Sequence, residues 1–211
     1  MPPIELKEWI TIFKDCLLGV AALVTTIIAV YGARMWKREL AGKEIYTATK
    51  NLVKESHLLT RATTKARMPI QDYERKVFSE LEVKHTTKNE RWRISEAEAY
   101  KKRIDSLAIN IDRYENSLLD VRVLIGSKVH LGYLPFGRFV TEVVYRIGNY
   151  VTVIQDYSQT VFPESPEVQD VQRELYAAEN LDDELSQNIS NAREDAEKHL
   201  LTFLHRKSIQ G

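Results

Sequence analysis

The sequence predicts an all-α protein in which an N-terminal transmembrane helix continues into a long stalk and then into an antiparallel helical bundle. Three observations lead there. Residues Cys16 to Ala33 read CLLGVAALVTTIIAVYGA, eighteen residues without a charge, close to the shortest apolar run that crosses a bilayer as a helix. No proline interrupts the chain between Pro3 and Pro69. Beyond that, apolar residues recur every three or four positions through three stretches, and no alternating pattern with turn chemistry marks a strand. No internal repeat is visible. The segments expected are a flank over 1–15, a transmembrane helix over 16–36, a basic stalk helix over 37–66, a connector over 67–94 and a cytoplasmic helical bundle over 95–211.

Trp9 and Trp36 bracket the span, with Tyr31 close to its second end, as interfacial aromatics do. A cleaved signal peptide is the competing reading. It lacks a short apolar region ending at a small-residue cleavage site before charge returns. Arg34, Lys37, Arg38 and Lys43 follow the span, whereas Lys7 and Lys14 before it are mixed with Glu5, Glu8 and Asp15. By the positive-inside rule the C-terminal side faces the cytoplasm. Cys16, the single cysteine, excludes an internal disulfide and any cysteine-based zinc site, and in an apolar run it acts as a small hydrophobe. Gly19, Ala21, Ala22, Thr25 and Thr26 supply small, weakly polar positions where anchor helices approach one another. The stretch Ile4 to Phe13 either lies along the outer surface or extends the helix outward.

From about Leu6 to Thr63 one helix is expected, on the order of 85 Å long at 1.5 Å per residue. Its later half carries Ile45, Ala48, Leu52 and Leu59, a sparse stripe that wants a partner. After Pro69 a connector with a short helix around Asp72 to Glu82 is expected. Ser95-Glu96-Ala97-Glu98 matches a capping box, so the next helix is placed from Ser95. Ile104, Leu107, Ile111, Tyr114, Leu118, Val121 and Ile125 form its seam, and Gly126 is placed to end it. A loop through Gly132 and Pro135 then leads to a helix with the stripe Phe136, Val140, Val143, Ile147, Tyr150, Ile154 and Tyr157. Phe139, Val144, Val151 and Val153 widen its apolar surface, so it is expected at the centre. Pro163 and Pro166 precede a last helix, roughly Glu167 to Arg206, with the stripe Val168, Val171, Leu175, Ala178, Leu185, Ile189, Ala192, Ala196, Leu200 and Phe203.

Charge is balanced overall, at 30 basic and 30 acidic residues, yet divided along the chain. Nine basic and three acidic residues from Arg34 to Arg67 give that segment +6, including Lys37, Arg38, Lys50 and Lys54. Eleven acidic and three basic residues give Glu164 to His199 a charge of −8. Such blocks attract each other within a chain or between copies, bind anionic lipid when basic and beside a membrane, or simply form two solvated faces.

Catalytic signatures are scarce. The chain has no Walker A loop, since Gly126-Ser127-Lys128 lacks the upstream glycine, and no HExxH, CxxC or GxSxG. No cofactor or metal is expected. One constellation remains, Arg193-Glu194-Asp195-Ala196-Glu197-Lys198-His199. An arginine that holds a phosphate and a histidine that moves a proton are what metal-independent RNA cleavage requires. Six residues apart on one helix, the two side chains diverge by about 120°, so they converge only through a second copy or a local break. The plain alternative pairs Arg193 with a nearby carboxylate and packs His199 beside Leu200.

Two resemblances follow. Trp36-Lys37-Arg38-Glu39-Leu40-Ala41-Gly42-Lys43 with Tyr46, and Glu98-Ala99-Tyr100-Lys101-Lys102-Arg103, resemble a group of uncharacterised bacterial single-pass membrane proteins, which implies no activity. The anchor, the helical bundle and the late Arg193 and His199 together resemble the membrane accessory proteins of type VI-B CRISPR systems, which are similar to HEPN domains. That resemblance implies a homo-oligomeric pore in a bacterial inner membrane that strengthens antiphage defence, with an RNA-guided nuclease or RNA as further partner beside the bilayer. Glu194 stands where the HEPN motif carries a polar Asn or Asp, a departure that bears on ribonuclease activity. The expectation is a non-enzymatic membrane effector, with a membrane-tethered ribonuclease using Arg193 and His199, or a passive adaptor, as the alternatives.

Overall fold

The computed structural model describes residues 3–156, 162–178 and 182–204, apart from the side chains of 3–7 and 156. Tyr157, His205 and Arg206, and the side chains of Ile4, Glu5, Leu6 and Lys7, lie outside the described residues. The chain is all-helical. Among the described residues seven α-helices run in the order α1 (Pro3–Ala66), α2 (Glu80–His85), α3 (Lys88–Ile125), α4 (Ser127–Asp156), α5 (Pro166–Leu175), α6 (Glu184–Lys198) and α7 (Leu201–Leu204), and no strand occurs. The chain divides into two units, Met1–Ile45 and Tyr46–Gly211.

In the first unit every described side chain from Glu8 to Ala41 is exposed, including Cys16. The hydroxyls of Thr25 and Thr26 donate to the carbonyls of Ala21 and Ala22, each at 2.8 Å. They therefore make no demand on the surroundings, and the helix is long and apolar enough to cross a membrane. The segment from Ile4 to Phe13 is part of α1 rather than a separate surface piece.

In the second unit α1 contributes a core face. Ala48, Leu52, Leu59 and Ala66 are buried, as are Thr49, Ser56 and Thr63 among them. The stripe expected to be sparse is thus a full seam in which hydroxyls replace methyl groups. Ser56 donates to the carbonyl of Val53 at 2.8 Å and Thr63 to that of Thr60 at 2.7 Å, so they enter the interior already hydrogen-bonded. The segment 46–66, expected as stalk, is a core helix of this unit.

α4 is the central element, packed against α3, α5 and α6. Phe136, Val140, Val143, Ile147, Tyr150 and Ile154 are all buried on it, as the three-four step requires. α4 begins at Ser127, so the loop expected through Gly132 and Pro135 is helical, with Pro135 inside the helix. Gly126 ends α3 at φ 108°, a conformation for which a residue without Cβ is suited, and its amide donates to the carbonyl of Arg122. On α3, Leu107, Tyr114, Leu118 and Val121 are buried, whereas Ile104, Ile111 and Ile125 are half-buried.

Three further boundaries differ from expectation. α3 starts at Lys88, because Thr87 and Glu90 form the capping box that had been assigned to Ser95 and Glu98. Ser95 lies inside the helix instead, buried, and accepts from the amide of Lys76 at 2.9 Å. In the connector, the short helix expected at Asp72 to Glu82 resolves into a 3-10 turn over Asp72–Glu74 and α2, capped by Ser79 and Glu82. The last helix is divided into α5, α6 and α7, since Asp183 accepts from the amide of Ser186 and starts a new helix there.

Candidate functional site

Three buried or half-buried polar clusters lie in the second unit. The first surrounds Arg67, whose side chain is only 2% exposed although it carries a charge. Its Nε donates to the carbonyl of Leu175 at 3.0 Å, one terminal nitrogen to Ser186 Oγ at 2.7 Å and the other to Asp183 Oδ1 at 2.6 Å. The end of α1, the end of α5 and the start of α6 therefore share one guanidinium. Burial works against the charge on Asp183, but the Ser186 hydroxyl, Arg67 and the Ser186 amide outweigh it and hold the carboxyl down at about 2.

A second cluster centres on Glu96, buried near the start of α3. Arg75 lies 3.1 Å from its carboxylate, and the Tyr150 hydroxyl donates to it at 3.3 Å. Burial raises the Glu96 carboxyl above its ordinary range despite these partners. Nearby, Arg103 donates to the carbonyls of Met68 and Pro69 and to Glu74, binding the connector to α3. The Tyr100 and Tyr150 rings meet edge to face at 5.1 Å. The resulting network fixes the connector, an unpatterned stretch, against two helices.

The third cluster contains the residues singled out from the sequence. Glu197 on α6 accepts from Ser56 Oγ at 3.5 Å, lies 3.2 Å from His57 Nε2, and stands 3.5 Å from Arg193 Nε. Arg193 is also 3.6 Å from Glu194, and its side chain is 14% exposed. Tyr133 on α4 is fully buried beside this group, with its hydroxyl lacking a hydrogen-bond partner among the described residues. Burial pushes that phenol upward, and the charge of Glu197 adds to the effect. His199 caps α6 and is exposed, with its ring against Gly132, where an added Cβ would come within 2.8 Å of it.

Arg193 and His199 are thus seated separately. Arg193 turns toward carboxylates and His199 toward α4, and no hydrogen bond or ion pair joins them among the described residues. Arg193 stands between two carboxylates and is largely shielded. Sequence reasoning missed Ser56, His57, Tyr133 and Arg67, and it did not name Glu197 as the carboxylate that Arg193 meets. The spacing of Arg193 and Glu197 by four was a readable signal, but the partners on α1 were not, being 141 residues from Glu197 in the case of Ser56.

The charge blocks meet within one chain, through Arg67 with Asp183. Lys37, Arg38, Lys50 and Lys54 remain exposed, the last lying 4.0 Å from Glu55. On the apolar helix, Gly19 has open space around it, and Ala22, Thr25, Thr26 and Trp36 face outward. Compared with protein-family models, with curated proteins and with solved structures, the chain matches none.

Proposed function

We propose that the protein is a single-pass membrane effector with its helical unit in the cytoplasm, and that it acts by assembling with copies of itself to perturb the bilayer rather than by cutting RNA. The observation that carries this reading is the apolar stretch of α1. Its side chains are exposed from Glu8 to Ala41, so no described residue covers them, and lipid and neighbouring anchors are the surroundings they suit. The basic cluster of Arg34, Lys37, Arg38 and Lys43 supports the cytoplasmic placement.

The engagement of Arg193 by Glu194 and Glu197 favours the assembly reading over a membrane-tethered ribonuclease. The resemblance to accessory proteins of type VI-B CRISPR systems suggests the setting, a bacterial inner membrane under phage attack, with a pore as the assembled form. Membrane potential in cells expressing the full chain under phage challenge tests it. Val24→Arg costs about 2.5–3.5 kcal/mol of insertion free energy in a lone span and is expected to abolish the effect. Arg193→Ala with His199→Ala is expected to leave it intact. Loss of protection in the second variant, with RNA decay lost at the same time, would establish the ribonuclease instead.

A further inference from the structure

α3 and α4 form a hairpin with two unlike faces. One carries the core. The other is open, and no described element packs over it. Between the helices on that side runs a groove of about 560 Å³, with Leu118, Leu119 and Leu134 among its lining residues. A second groove of about 760 Å³ continues between the same helices past Ile104 and Val151. Leu119 is 54% exposed, Leu134 40% and Tyr145 73%, and Val123 and Leu131 add exposed apolar surface near the turn. A contiguous apolar face of this kind on a packed unit marks a contact surface.

The groove also carries charge of both signs. Glu115 stands on its α3 wall and Arg138 on its α4 wall, both exposed, and no ion pair joins either to another described residue. Lining one groove, they stand at the same height along the hairpin. A two-fold axis running along the helices would lay α3 of one copy over α4 of the other without changing that height. Each Glu115 then meets the other copy's Arg138, twice, as an isologous contact requires. The 30 residues of α4 span about 45 Å, and two helices side by side present a face about 20 Å wide. The resulting area of about 900 Å² compares with about 800 Å² per partner in a standard specific interface.

We infer that the open face of the α3–α4 hairpin is the surface on which a second copy of this chain docks, with Leu119 and Leu134 in the contact and Glu115 paired to the other copy's Arg138. The inference rests on the assembly reading above and names its contact. The molar mass of the full chain in detergent is to be measured across a dilution series for the native protein, for Glu115→Arg, for Arg138→Glu and for the two reversals combined. Both positions are exposed, so unchanged melting checks that each variant folds. Each single reversal is expected to weaken association by at least about tenfold, since it sets like charges against each other, and the double reversal to restore it. Gly137→Trp, placed where an added Cβ meets open space in the groove, is expected to dissociate the assembly as well. An oligomer whose mass none of these variants moves would overturn the docking face while leaving assembly in place. Single variants that dissociate without rescue by the double reversal would overturn the two-fold seat. A native protein that is monomeric at every concentration would overturn both the docking face and the assembly reading.

Discussion

At the Arg67 guanidinium three chain segments share one buried charge, and the stability of the second unit depends on its partner staying ionised. Asp183 is held at about 2 against an ordinary 3.8. Its contribution is complete above the ordinary value and is lost as pH falls from about 4 to about 2, where the native carboxylate takes up its proton. Denaturant unfolding of the full chain in detergent is expected to show this loss, on the order of 2 kcal/mol, and Asp183→Asn to remove the pH step. Arg67→Met, which leaves Asp183 without its cation, is expected to cost about 3 kcal/mol at neutral pH. None of this was visible in the sequence. Arg67 and Asp183 lie 116 residues apart, and a pairing across such a distance leaves no periodic trace, unlike the pairing of Arg193 with a nearby carboxylate, which the sequence offered as the plain alternative.

Helix identity was legible wherever apolar side chains repeat, because burial of one face imposes the repeat. α4 is the clearest case, and Ile147, fully buried at its centre, is expected to cost about 2–5 kcal/mol when cut to alanine. A melting curve indistinguishable from that of the native protein would contradict its central place. Helix ends were less legible. Ser79, Thr87 and Ser95 each precede a glutamate by three positions, and the pattern does not say which serine or threonine is the cap. Packing decides it, since burial of Ser95, Ala97, Ala99 and Tyr100 rewards extension of α3 back to Lys88. The division between α5 and α6 was hidden for a related reason. Val168, Leu175, Leu185 and Ile189 fit one stripe when read along the chain, although the helix stops at Leu175 and resumes at Glu184. At Pro135 a residue usually read as a breaker stands inside α4, eight residues after its start.

For the whole molecule, the long apolar helix was the most legible feature, since eighteen uncharged residues need no partner to be recognised. The candidate site was less so. Arg193 and His199 were named from a pattern, while the groups around Arg193 came into view only with the fold. The proposed topology is checked by a reporter fused after Gly211 that is active only outside the cytoplasm. It is expected to stay silent, and activity would reverse the orientation drawn from Arg34, Lys37, Arg38 and Lys43.

The seam on α1 also sets a timetable for synthesis. Ser56 and His57 face Glu197, which is translated 141 residues after Ser56, and at about 5–20 residues per second the ribosome needs roughly 7–28 s to supply it. If α1 inserts as proposed, its apolar stretch has by then emerged and entered the membrane, while Ser56, His57 and Arg67 wait without the α6 residues that later pair with them. A nascent chain in that state displays an unsheltered seam next to the translocation machinery, which makes it a target for chaperones and quality-control proteases. Pausing the ribosome before Glu184 would be expected to shorten the lifetime of the arrested chain, and release past Lys198 to restore it.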